Sequence, residues 1–211
     1  MTILDKLATA LNRRDEVPNQ ELAKDIVRAN NKRAVKELIE NLTHKDKNIQ
    51  SDCIKVLYEV GEREPKMIAS YYREFGKLLD NKNNRLVWGA MIALDSVTVQ
   101  EPKGVHGLLV KIMDTADSGS VITRDHAVGI LVKLSTLRQY ADECIPLLLE
   151  QLLTCPNNQF PMYAEMSLAV VNDKNKAALQ KVMTRRLAGL EKESQRKRVA
   201  KVLKRLTTKT A

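Results

Sequence analysis

Two segments of the chain share one pattern of residues, DKNIQSDCIKVLYEVGEREP (46–65) and NNRLVWGAMIALDSVTVQEP (83–102). In each, a small apolar residue is followed by Leu four positions later and by Val three positions after that, as in Cys53–Leu57–Val60. The pattern recurs every 37 residues, and its last copy follows after 35. The other copies are Ala90–Leu94–Val97, Ala127–Leu131–Leu134, Ala164–Leu168–Val171 and Val199–Leu203–Leu206. Self-similarity at a fixed period of this length is typical of solenoid proteins.

Each repeat is predicted to contain two amphipathic helices. Apolar residues three and four positions apart share one face of an α-helix, and the pattern above lies on the second helix of each pair. The first helix has its own apolar face, for example Ile68–Tyr71–Phe75. The predicted pairs span 2–29, 31–63, 65–100, 102–138, 140–172 and 174–208. Because no pair buries its apolar face alone, we expect neighbouring repeats to stack in a single all-α domain over 1–211.

Polar residues mark the start of the second helices at the same interval. Asp46, Asn83, Ser120 and Asn157 are 37 residues apart, and all four residue types cap helix starts or form turns.

The two quoted segments resemble HEAT repeats, and the resemblance covers roughly residues 31–206. The Ile-Pro-Leu-Leu-Leu segment at 145–149 is also similar to the kinked first helix of that family. The resemblance implies a right-handed α-solenoid, a superhelix whose second helices line the concave side. HEAT arrays serve as scaffolds, adaptors, transport factors and nucleic-acid binders, so the resemblance indicates a fold more than a function.

Composition favours a soluble protein from a reducing compartment. The chain has 211 residues, of which 44% are hydrophobic and 29% charged, and no apolar run approaches the ~20 residues that span a bilayer. Cys53 occupies a core position of the repeat, and a whole predicted helix separates Cys144 from Cys155, so we expect three free thiols. We expect a cytoplasmic monomer without a membrane span.

The positive charge is concentrated at the C-terminal end. Residues 174–211 hold 13 lysines and arginines against two glutamates, whereas the rest of the chain holds 22 basic and 24 acidic residues. The cluster is either a solvated cap on the last repeat or an interaction surface for a nucleic acid, an acidic protein or an anionic membrane. Its densest residues are Arg185, Arg186, Arg196, Lys197, Arg198, Lys201, Lys204 and Arg205.

A second candidate surface comes from the repeat register. Residues that are 37 positions apart on the second helices form rows, and three of these rows lie outside the core pattern. In the middle of the rows the side chains are mainly large and apolar, which is typical of a peptide-binding groove. The alternative is that they pack between helices. The predicted groove residues are Trp88, Ile92, His126, Met162, Tyr163 and Met166. Gly89, next to Trp88, indicates a close approach, either by a ligand or by a neighbouring helix.

The sequence contains no recognisable catalytic or metal motif. It lacks the phosphate-binding, dinucleotide-binding, nucleophile-elbow and H-E-x-x-H patterns, and its three histidines are scattered. The HEAT-like DNA alkylation-repair glycosylases share the scaffold, and in them Trp, Asp and Arg residues form the site. Trp88, Asp125 and Arg124 match those types, but Ile92 replaces an expected carboxylate. We therefore expect a non-catalytic scaffold or adaptor without cofactor or metal that binds a protein or peptide. The alternative is a nucleic-acid-binding protein that uses the basic C-terminal helices.

Overall fold

The computed structural model describes residues 2–208, which are helical and contain no β-strand. The chain forms two compact units, residues 1–127 (unit 1) and 128–211 (unit 2), and one helix crosses the boundary. The prediction of one domain over the whole chain stays a prediction.

Unit 1 is built from paired helices. The first member of the first pair is a 3₁₀ turn at Ile3–Lys6, and the helices that follow are α1 (Val17–Arg28), α2 (Lys32–Glu40), α3 (Lys47–Arg63), α4 (Tyr72–Leu78), α5 (Asn84–Val97), α6 (Pro102–His106), α7 (Leu109–Ser118) and the start of α8 (Val121–Ser135). Helix α3 packs between α1 and α5, the second members of their pairs. The first helix of the fourth pair is divided into two segments. The segment α6 ends at His106, and α7 begins at Leu109.

Unit 2 contains the end of α8 and four further helices. These are α9 (Arg138–Thr154), α10 (Phe160–Ser167), α11 (Lys176–Leu187) and α12 (Glu193–Thr208). Helix α10 packs on α12, α11 packs on both α9 and α12, and α9 also contacts α10. Over residues 2–208, the predicted six helix pairs are therefore present.

The repeat pattern forms the core of both units. Cys53, Ala90, Ala127, Ala164 and Val199 have no exposed surface. The second and third positions of the pattern are fully buried in the first three copies, up to Leu134. In each of the last two copies, at least one of these positions is partly exposed. One reason is that α10 ends at Ser167, so the following residues leave the helical face that the pattern assumes.

Three of the four predicted polar markers act at helix starts. The Asp46 carboxylate accepts from the Asn48 N–H at 2.8 Å, and the Asn83 amide oxygen accepts from the Arg85 N–H at 3.0 Å. The Ser120 hydroxyl accepts a longer bond of 3.3 Å from the Thr123 N–H.

Asn157 does not cap a helix. Its amide oxygen accepts from Arg186 at 3.0 Å, and its amide nitrogen donates to the Gly189 carbonyl at 3.4 Å. Asn157 lies in a turn instead, which is the other role predicted for these residues, because α10 begins only at Phe160, three residues further on.

The three cysteines are free and buried. Burial raises the pKa of the Cys53 thiol to about 12 and that of the Cys144 thiol to about 11. Over residues 2–208, no helix combines the length and the apolar character that crossing a membrane requires.

Candidate functional site

The predicted groove residues are divided between the units. Trp88, Ile92 and His126 belong to unit 1, and the other three belong to unit 2. Met162 and Met166 are half-buried, but Tyr163 has no exposed surface and belongs to the core. Its assignment as a partner contact was therefore wrong. The physical reason is that Tyr163 lies one turn from the buried Phe160, on the face that α10 turns towards its neighbours.

Trp88 on α5 pairs with an aromatic residue that the sequence analysis did not single out. The ring centroids of Trp88 and Tyr58 lie 6.0 Å apart with an interplanar angle of 52°, a tilted arrangement that aromatic pairs favour. Tyr58 is only 6% exposed, whereas Trp88 is half-buried. Among the residues that the structure describes, none accepts a hydrogen bond from the Trp88 indole N–H. Tyr58 therefore supports the indole from the core side, and the indole keeps an open donor.

A buried lysine fixes the position of Tyr58. The Lys55 ammonium lies 4.7 Å from the centroid of the Tyr58 ring and donates to Glu16 at 2.9 Å and to Glu59 at 2.8 Å. The Lys55 and Glu59 side chains are 10% and 9% exposed. Arg63 extends this network of ion pairs, because its guanidinium contacts the Glu59 carboxylate at 2.5 Å.

The pKa shifts in this network follow from competition between burial and pairing. Burial alone would lower the pKa of Lys55, but hydrogen bonds to Glu59, Tyr58 and Glu16 outweigh it, and the pKa is raised. Burial would raise the pKa of Glu59, but bonds from Lys55 and Arg63 outweigh it, and the pKa is lowered. Both groups are therefore charged at neutral pH, and each charge has an opposite partner within hydrogen-bond distance.

His126, which the sequence analysis predicted for the groove, is held by α5. Its Nδ1 lies 2.8 Å from the Asp95 carboxylate, and the two side chains are 27% and 16% exposed. The contact orients the imidazole ring, so that Nε2 is the nitrogen left for a ligand. Asp95 lies two turns after Trp88 on the same side of α5, which brings the aromatic pair and the histidine onto one surface. We call Tyr58, Trp88, Asp95 and His126 the aromatic surface of unit 1. Ile92, also predicted for the groove, is only 8% exposed and packs in the core between the helices.

Close packing accounts for Gly89, which the sequence analysis connected with either a ligand or a helix. A Cβ at this position would lie 2.6 Å from Ile54 Cγ1 on α3. The glycine therefore allows α3 and α5 to approach closely, and that approach is what brings Tyr58 against Trp88.

Part of the predicted basic cluster has a structural role. Arg186 donates to the carbonyls of Leu153 and Cys155 at 2.5 and 2.7 Å, and its guanidinium lies 4.9 Å from the Phe160 ring centroid. Arg196 donates to the Leu190 carbonyl at 2.7 Å. These two residues hold the end of α9 and the loop before α12, although Arg196 is also exposed.

The remaining members of the cluster lie on the surface of unit 2. Arg198 forms a bidentate pair with Glu165 of α10, with bonds of 2.8 and 2.7 Å. Exposed side chains are those of Arg185, Lys197, Arg198, Lys201, Lys204 and Arg205.

The residues that support the aromatic surface were not among the sequence-predicted site residues. Lys55, Glu59 and Arg63 are spaced four apart on α3, and this i,i+4 alternation of charge was the available signal. Glu16 gave no such signal, because its contact with Lys55 is made only in the folded structure.

Comparison with solved structures places the whole chain in a known fold class. An engineered protein superimposes with a TM-score of 0.64 at 16% identity, covering 99% of this chain and 98% of its own. A designed armadillo repeat protein gives a TM-score of 0.66 at 13% identity and covers 97% of this chain and 98% of its own. The chain thus has the fold of an armadillo-like repeat α-solenoid, and the predicted HEAT-like fold class is confirmed.

A second designed armadillo repeat protein, solved in complex with the peptide (KR)4, is also similar. It has a TM-score of 0.67 and 13% identity over 89% of this chain and 86% of its own. No family model and no curated protein matches the sequence, so neither comparison links it to the DNA alkylation-repair glycosylases.

Proposed function

We propose that this repeat scaffold binds a peptide segment of another protein on the aromatic surface of unit 1, with Trp88 as the central contact. The observation that carries the proposal is the half-buried Trp88, which is supported by Tyr58 and whose indole N–H has no acceptor within residues 2–208. Tryptophan is enriched among the residues that dominate binding energy, because it combines a large apolar area with one directional hydrogen bond.

The surface is ordered before a ligand arrives. Lys55 and its two carboxylates fix Tyr58, and Asp95 fixes the ring of His126. A ligand that docks on side chains already held in place loses less conformational entropy, so more of the contact energy appears as affinity.

The charges of the surface favour a peptide over a nucleic acid. The carboxylates of Glu16 and Glu59 pair with Lys55 next to Tyr58, and Asp95 lies against His126, so the surface carries charges of both signs. A phosphate backbone gains affinity mainly by releasing counterions from clustered cations, and a balanced surface offers little of that gain. A peptide instead gains from apolar contact with Trp88 and from hydrogen bonds to His126. Peptide binding also fits the fold, since the designed neighbour was solved with a peptide.

The test uses the fact that Trp88 is the only tryptophan of the chain. A phage-displayed random peptide library is selected on the wild-type protein, and the enriched peptides are titrated while tryptophan fluorescence is recorded. We expect saturable changes in intensity or emission wavelength. Fluorescence anisotropy of the labelled peptides then compares the wild type with Trp88→Ala, for which we expect an affinity loss of at least about tenfold.

Tyr72→Ala is the matched control, because Tyr72 is another half-buried aromatic residue of unit 1, at the start of α4 and outside the aromatic surface. It should leave the affinity unchanged. The proposal is refuted if no selected peptide alters the fluorescence of Trp88, or if both substitutions weaken binding equally.

A further inference from the structure

Unit 2 has a second candidate binding surface, which combines apolar and basic side chains. It lies on α10 and α12, the second helices of their pairs. Met162 and Met166 lie one turn apart and half-exposed on α10, and Lys197 and Lys201 lie one turn apart and exposed on α12. We call these four residues the lysine–methionine face.

Two observations bring the four residues together. The last copy of the repeat pattern comes 35 residues after the one before it, as Val199 does after Ala164. At the same interval, Lys197 is the equivalent of Met162 and Lys201 the equivalent of Met166. In addition, the bidentate pair between Arg198 and Glu165 joins the same stretches of α12 and α10. Side chains spaced four apart on two helices packed side by side form one continuous patch.

We propose that the lysine–methionine face binds an acidic amphipathic segment of a partner protein. Methionine side chains adapt to apolar groups of varied shape because they are unbranched and polarisable. The apolar side of the segment would pack on Met162 and Met166, while its carboxylates would pair with Lys197 and Lys201. The present partner of Lys197 is Glu193, and both side chains are largely exposed, at 76% and 79%, so little energy opposes the exchange.

The face fits an acidic protein segment better than a nucleic acid. Glu165 lies within the patch, and its pKa is lowered because Arg198 hydrogen-bonds to it, so it carries a negative charge at neutral pH. A run of phosphates would pass close to this carboxylate and would gain nothing from the two methionines. A peptide can place a neutral residue opposite Glu165 and acidic residues on either side.

The inference stands apart from the peptide site on unit 1. The two surfaces lie in different units and differ in charge, so the chain would bring together two partners of different chemistry. Failure of either test leaves the other proposal intact.

The experiment measures fluorescence anisotropy of the intact protein with defined probes at two salt concentrations. The main probe is a labelled peptide of about 16 residues made of Leu and Glu, with Leu at helical spacing, long enough for a marginal helix in water. The other probes are poly-glutamate and a duplex DNA. We expect saturable binding of the Leu–Glu peptide that weakens with salt, and weaker binding of the other two.

Two variants test the face, and one double variant controls for net charge. Lys197→Glu/Lys201→Glu should weaken Leu–Glu binding at least about tenfold, since like charges then oppose each other. Met162→Ser should weaken it severalfold without changing the net charge. Lys181→Glu/Arg185→Glu alters two exposed residues of α11 by the same charge and should have little effect. Circular dichroism confirms that each variant is folded.

Three results would overturn the proposal. These are no binding of the Leu–Glu peptide at low salt, equal loss in the α11 control, and tighter binding of DNA than of the peptide. The last result would assign the basic helices to nucleic acid instead.

Discussion

Replacing Lys55 by Met tests whether the buried ion-pair network stabilises unit 1. Met has a similar length and fills the same space, so the change removes the charge and its bonds and leaves no large cavity. Lys55 donates to Glu59 at 2.8 Å and to Glu16 at 2.9 Å, and both bonds are lost.

The expected cost is about 2–3 kcal/mol at neutral pH. Removing one partner of a fully buried ion pair costs about 3–5 kcal/mol, because a charge is left without compensation. The value is lower here for two reasons. Arg63 still contacts Glu59, and Glu16 is 40% exposed and can be solvated by water.

The effect should depend on pH in a defined direction. The pKa of Glu59 is lowered from its ordinary value of 4.5, so its contribution is complete above that value and is lost as the pH falls through the lowered pKa. The pKa of Lys55 is raised from 10.5, so its contribution is complete below that value and is lost only as the pH rises through the raised pKa. The difference between wild type and Lys55→Met should therefore be largest between these limits and should shrink in acid.

The assay is urea unfolding followed by the fluorescence of Trp88, which lies in the same unit as Lys55. Lys24→Met is the control, because Lys24 and its partner Glu21 are 53% and 60% exposed, and its effect should stay within about 0.5 kcal/mol. The reasoning fails if Lys55→Met costs no more than this control at neutral pH, or if its cost is the same in acid.

Two further predictions concern packing. Gly89→Ala should destabilise unit 1 by about 1–3 kcal/mol, because the new Cβ would lie 2.6 Å from the β-branched Ile54, whereas Gly107→Ala, with its nearest atom at 3.4 Å, should be nearly neutral in the same urea assay. Equal effects would contradict the close approach of α3 and α5. The three cysteines should not react with a thiol reagent in the folded protein and should all react in denaturant, since they are at most 2% exposed and the pKa of Cys53 is about 12. Fast labelling of the folded protein would show that the core opens readily.

The repeat register could be predicted from the sequence because burial at a repeated position restricts the residue type. Ala90, Ala127 and Ala164 recur at one interval, and each is fully buried where helices approach. Helix starts such as those at Asp46 and Asn83 were predictable for a similar reason, since capping is a local interaction over two or three residues.

The candidate sites were less predictable, because exposure depends on contacts between distant residues. In the sequence, Trp88 and Tyr163 are both large side chains outside the repeat pattern. In the structure, Trp88 is half-buried, whereas Tyr163 is completely buried. The basic cluster shows the same limit. Arg186 and Lys201 look alike in sequence, but only Arg186 has backbone carbonyls within reach.

The sequence by itself determined the fold class, the repeat length and the core positions, because helical periodicity and the 37-residue interval are properties of neighbouring residues. Only the tertiary structure decided which of the remaining side chains are ordered at a surface. Tyr58 supports Trp88 because Gly89 lets α3 approach α5, and Lys55 holds Tyr58 because Glu16 reaches it from 39 residues away in the chain. Such contacts depend on how helices pack, and a pattern within one helix does not encode them.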